Sequence, residues 1–129
     1  MIVVDASALI EVLLNRPVAE RLRGRIFRRG EELNAPHLLD LEVMHVIRRY
    51  TLSGNLGERR AEEAIARYRE IQIERYSHEL LVDRIWRLRF NLTAYDAAYL
   101  ALAELLGARL ITTDKRLARA APRVAELIQ

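Results

Sequence analysis

Asp5, Asp96 and Asp114, with either Glu42 or Asp40 as a fourth acid, are the side chains whose type and setting could do chemistry. Asp5 ends the apolar run Ile2-Val3-Val4, and Asp114 follows Leu110-Ile111-Thr112-Thr113. Between Tyr95 and Leu106 only Asp96 and Glu104 are charged. A carboxylate on so apolar a segment is costly unless it is paired or binds a metal, although a place in the first helical turn lessens that cost. Asp40 and Glu42 flank an apolar stripe on opposite sides, and periodicity does not choose between them. Acids without a cysteine or histidine cluster suit a hard cation such as magnesium or manganese, which takes oxygen ligands and keeps several waters. Such an ion lowers the pKa of water and clamps phosphodiester oxygens. Ser7 and Thr112 stand two residues from Asp5 and Asp114, and their hydroxyls could orient a carboxylate. Plain capping and turn roles are the alternative for both.

These residues need a scaffold, and the hydropathy pattern supplies one. Ile2–Val4 reads as a strand buried on both faces, as in the middle of a parallel sheet. Helices are expected over Ser7–Leu14, Val18–Arg29, Leu38–Leu52, Gly57–Glu70, His78–Phe90, Ala94–Leu106 and Lys115–Ala120. Further strands are expected at Leu33–Ala35, Ile71–Ile73 and Arg109–Thr112, with an edge strand at Val124–Ile128. The helix Leu38–Leu52 carries its stripe on Leu39, Val43, Val46, Ile47 and Tyr50. The helix Ala94–Leu106 is apolar nearly all round and should be buried. Strands alternating with helices give an α/β domain around a mostly parallel sheet. Asp5 and Asp114 then share its carboxyl edge, where open α/β folds place their ligands.

The chain of 129 residues is one domain by size. The absence of cysteine excludes disulfides and thiolate metal sites and fits a reducing compartment. No signal peptide or membrane span is visible, which points to the cytoplasm. The net charge is +3, and Lys115 is the only lysine; arginine forks suit phosphate, so nucleic acid is a plausible partner. Arg16, Arg48, Lys115 and Arg116 flank the acids and are the candidates for nucleic-acid contact. His37, His45 and His78 make no zinc spacing and read as structural or surface residues. Trp86 and Phe90, at helical spacing, read as core or dimer interface rather than base-stacking platforms.

Four segments together resemble the PIN-domain ribonucleases of the VapC toxin type, over nearly the whole chain. They are Val3-Val4-Asp5-Ala6-Ser7-Ala8, Ala35-Pro36-His37 leading to Leu41-Glu42-Val43, Leu92-Thr93-Ala94-Tyr95-Asp96-Ala97-Ala98-Tyr99, and Leu110-Ile111-Thr112-Thr113-Asp114. The resemblance selects Glu42 over Asp40. It implies a single three-layer α/β/α PIN-like domain over residues 1–129, with a central, mostly parallel sheet of four to five strands. It also implies magnesium- or manganese-dependent cleavage of single-stranded or loop RNA, a homodimer, and inhibition by a cognate antitoxin. On this reading Asp5 and Asp96 are the principal metal ligands. Glu42 and Asp114 complete the pocket, and cleavage leaves a 5′-phosphate. A non-catalytic regulatory or RNA-binding module on the same fold is the alternative. A phospho-acceptor receiver domain is disfavoured, because the third candidate strand, Ile71-Gln72-Ile73-Glu74-Arg75, ends without the aspartate it needs.

Overall fold

A computed structural model describes all residues, 1–129. Five strands, β1 (Ile2–Val4), β2 (Leu33–Pro36), β3 (Ile73–Tyr76), β4 (Arg109–Thr112) and β5 (Ala125–Leu127), form one sheet in the order β3-β2-β1-β4-β5. Every pairing is parallel. The helices are α1 (Ala6–Leu13), α2 (Ala19–Ile26), α3 (Leu38–Leu52), α4 (Glu58–Glu70), α5 (Val82–Arg87), α6 (Ala94–Leu106) and α7 (Lys115–Ala120). The chain steps from β1 to β2 to β3 in one direction, then returns past β1 to β4 and β5 in the other. Right-handed crossovers then place α1–α4 on one face and α5–α7 on the other. In keeping with this, α6 packs across β1, β2 and β4, whereas α1 packs on α2 and α3. The direction reverses between β1 and β4, so a crevice opens at their carboxyl ends.

β1 is central because its side chains can be buried on both faces: Ile2, Val3 and Val4 are all buried. α6 is buried from Ala97 through Ala103, as its sequence requires, and its alanines let it lie close on the sheet. It ends at Gly107, whose φ of 62° is the left-handed conformation that closes a helix, with the Ala108 N–H returning to the Ala103 carbonyl at 2.9 Å.

The third strand begins later than expected. The Ile71 N–H closes on the Tyr68 carbonyl at the end of α4, so pairing starts with Ile73 opposite Leu33 and runs to Tyr76 opposite Pro36. The expected helix His78–Phe90 is shorter and broken. Ser77 caps it, its hydroxyl accepting the Glu79 N–H at 3.2 Å, but its first turn, His78–Leu81, is a 3-10 turn, and α5 covers only Val82–Arg87. α5 buries none of its residues fully and packs against the core only through the half-buried Ile85 and the Leu88 that follows it, too little apolar contact to sustain a longer helix. Trp86 and Phe90 consequently do not belong to the core: they are 65% and 79% exposed.

Candidate functional site at the carboxyl edge

Asp5 leaves β1 in extended conformation and caps α1, and the residue is 5% exposed. Its Oδ1 accepts the Ala8 N–H at 3.0 Å and the Ser7 hydroxyl at 2.6 Å, while Oδ2 accepts the Thr112 hydroxyl from the end of β4. The two hydroxyls are themselves held: Ser7 Oγ accepts the Thr113 N–H at 3.1 Å and Thr112 Oγ1 accepts the Asp114 N–H at 3.0 Å. One knot of hydrogen bonds thus closes the crevice between β1 and β4. A carboxylate has about four acceptor positions, so these three donors leave one lone pair on Oδ2. Burial pushes the Asp5 carboxyl up to about 6, and the nearby Asp114 charge adds to the rise. Ser7, Thr112 and the Ala8 N–H act the other way by favouring the charged form.

Glu42 lies in the second turn of α3 and accepts the Tyr99 hydroxyl at 2.6 Å. Burial raises its carboxyl above the usual range; the Tyr99 bond opposes this, and the Asp96 charge adds to it. Burial, with Glu42 beside it, likewise holds the Tyr99 hydroxyl far above its ordinary value. Tyr99 was not singled out from the sequence. The available signal was its spacing, three residues after Asp96 and therefore on the same face of α6.

Asp96 stands in the first turn of α6, where its N–H donates to the Thr93 cap at 3.1 Å. Its Oδ2 accepts Arg116 Nη2 at 2.7 Å, and the same nitrogen lies 3.7 Å from Asp114 Oδ2. Asp114 caps α7, its Oδ1 accepting the N–H groups of Arg116 and Leu117. The four acids therefore line one edge, Asp5 and Asp114 at the β1–β4 crevice and Glu42 and Asp96 beside it on flanking helices. None is fully exposed. No three acid or histidine side chains are grouped to hold an ion as they stand. The donor set is nonetheless all oxygen, as magnesium and manganese require, and magnesium is commonly held through one or two carboxylates and water. The residues fit such an ion as pairs rather than as a closed cage.

Asp40 has a different fate. Its carboxylate is clasped by Arg75 on β3, at 2.8 Å from both Nε and Nη2, and by the Tyr68 hydroxyl at 2.6 Å. The Arg75 bonds hold it below the usual carboxylate range. It ties α3, α4 and β3 together, and its partners come from those elements rather than from the β1–β4 edge. Arg16 lies beyond the far end of α1, roughly 12 Å of helix away from the edge, with its guanidinium 4.9 Å from the Tyr50 ring centre. Arg48 is exposed on α3, well past Glu42, and Lys115 is exposed beside Asp114. His78 accepts the Leu38 N–H through Nε2 at 3.0 Å, capping α3 from outside, so one histidine has a structural task.

The PIN domain family model matches residues 2–122. VapC ribonuclease Mb0985 of Mycobacterium bovis is 43% identical over 117 residues, covering 91% of this chain and 88% of that protein. The chain belongs to the VapC branch of the PIN-domain family. Its fold is correspondingly VapC-like. The crystal structure of Mycobacterium tuberculosis VapC20, a Sarcin-Ricin loop cleaving toxin, superposes with a TM-score of 0.70 at 15% identity, covering 94% of this chain and 95% of that one. A toxin–antitoxin complex from Klebsiella pneumoniae gives 0.68 at 20% identity, covering 98% and 96%. No helix of this VapC-family chain is long and apolar enough to cross a membrane.

Proposed function

We propose that this VapC-family PIN domain is a magnesium- or manganese-dependent endoribonuclease, the toxin of a toxin–antitoxin pair, acting on single-stranded or loop RNA. The observation that carries the reading is the Asp5 carboxyl. It is buried at the switch point between β1 and β4, held by hydroxyls from both sides of the crevice, and retains one unused lone pair. Fixing a carboxylate so firmly at a ligand-binding edge, against the cost of burial, suits a group that must present one oxygen in a set direction. Asp5 and Asp96 would hold the ion, with Glu42 and Asp114 completing the acidic edge. The ion, when bound, polarises the phosphodiester and makes water more acidic. The chain's own residues do the rest. Ser7 and Thr112 keep Asp5 oriented, Tyr99 keeps Glu42 in place, and Glu42, with its raised proton affinity, is suited to take a proton from the attacking water. The product would carry a 5′-phosphate.

Kinship with VapC ribonucleases supports both the RNA substrate and an antitoxin partner, and the fold shared with a toxin–antitoxin complex agrees with it. A homodimer is part of the proposal; Leu80, Val82, Trp86 and Phe90 expose apolar surface that a second copy could cover. A non-catalytic module is the second reading, and two observations favour it: Arg116 lies between Asp96 and Asp114, and no three acids are grouped around an ion position. Sequencing the ends of a single-stranded RNA after incubation with the protein and manganese separates the two. New internal ends bearing 5′-phosphate, lost with Glu42→Gln, support the nuclease; intact RNA at protein excess supports the module.

A further inference from the structure

We infer that Arg116 is an internal cation that competes with a divalent ion for Asp96 and Asp114, so that ion binding and release of the Arg116 side chain are one event. This rests on the ion-binding reading above. A single nitrogen, Nη2, serves both acids, at 2.7 Å from Asp96 Oδ2 and 3.7 Å from Asp114 Oδ2. The acids come from different elements, α6 and the cap of α7, so the guanidinium is what joins them. The base of the residue is anchored independently, its own N–H donating to Asp114 Oδ1 at 2.8 Å. The side chain can therefore swing without disturbing α7. The way out is open: the Arg116 side chain is 64% exposed, against 21% for Asp96. Asp96 Oδ2 has no other side-chain partner. An ion ligated by that oxygen and the guanidinium cannot share it in this geometry, because two positive charges would meet at contact distance.

The consequence is a lowered apparent ion affinity, since only the fraction of molecules with Arg116 swung away is competent to bind. It also supplies a use for the released side chain. A planar guanidinium freed at the edge of an acidic site is suited to a phosphate oxygen. Arg116 would then meet RNA only after the ion has taken its place between the acids.

The test is calorimetric titration of manganese into the ion-free protein, comparing wild type with Arg116→Gln, Arg116→Lys and Lys115→Gln. Arg116→Gln should bind manganese about fivefold more tightly than wild type, and its ion-free form should melt lower because two acids lose their shared counter-charge. Lys115→Gln removes the same charge from the adjacent exposed position without breaking the bridge, and should stay within about twofold of wild type. Arg116→Lys, which keeps the charge but not the fork, should fall between. Arg116→Gln binding no more tightly than Lys115→Gln overturns the inference while leaving the ion site standing. Manganese binding to none of the four proteins overturns both the inference and the reading beneath it.

Discussion

Thr112, the last residue of β4, donates its hydroxyl to Asp5 Oδ2 and accepts the Asp114 N–H, so one fully buried oxygen fixes two of the four acids relative to each other. Thr112→Val keeps the shape and removes both bonds. The buried Asp5 oxygen loses a donor and the Asp114 N–H loses its acceptor, a loss of about 1–3 kcal/mol. Urea denaturation should show that decrease, and Thr112→Ser should restore most of it. Equal stability of the valine and wild-type proteins would mean the knot is not what holds the crevice.

Asp5 also sets a pH dependence. Its folded value of about 6 lies above the ordinary 3.8. A carboxyl with a raised folded pKa favours the fold while protonated, so this contribution is complete below about pH 4 and is lost as pH rises through 6. The shift corresponds to roughly 3 kcal/mol. In chelator, Asp5→Asn should therefore be more stable than wild type at pH 7.5 and not at pH 4. Asparagine also remains a good helix cap. Denaturation curves at both pH values, in which the two proteins keep a constant difference, would refute the assignment.

Asp40 and Glu42 should separate cleanly. Asp40→Asn breaks the clasp with Arg75, a partly exposed pair, and should cost about 1 kcal/mol of stability with RNA cleavage retained. Glu42→Gln should keep the Tyr99 contact and the fold while cleavage falls. Parallel melts and cleavage assays check both; loss of activity in Asp40→Asn at full occupancy of the folded state would reinstate Asp40.

The same two residues show how far the sequence can be read. The apolar stripe of α3 was plain, and so was its burial, but the partner that claims Asp40 is Arg75, 35 residues away on β3. Helical periodicity carries no information about such a partner. Strands β1, β2 and β4 and the helices that bury a face were legible because packing writes a period into the sequence. β3 reads two residues early, because the apolar alternation of Ile71 and Ile73 does not show that Ile71 closes α4 instead, and the helix around α5 reads too long, because its half-buried Ile85 and Leu88 fix no helix ends. The strand-end acids were visible as charges where apolar runs stop. Arg116 read as an RNA contact, since a sequence does not show that two acids on other segments close around it.

The salt dependence of RNA binding should distinguish the basic residues. Lys115 stands beside the acidic edge, and Lys115→Gln should flatten the log–log slope for single-stranded RNA by about 0.7. Arg16 is spent on Tyr50 beyond the far end of α1, and Arg48 lies past Glu42 on α3, so substituting either with glutamine should leave the slope unchanged. Filter binding across a salt series checks this, and the reverse pattern would place the RNA along α1 and α3 instead.

The central claim is that the acidic edge cleaves RNA with a divalent ion, and Asp96→Asn tests it most directly. The measurement is the rate of single-stranded RNA cleavage by folded wild-type and Asp96→Asn proteins, each with manganese and with chelator. Ion-assisted catalysis supplies several kcal/mol, so the variant and the chelated wild type should both fall below about a hundredth of the wild-type rate with manganese. A folded Asp96→Asn protein that cleaves at the wild-type rate, or a wild type indifferent to chelator, would contradict it.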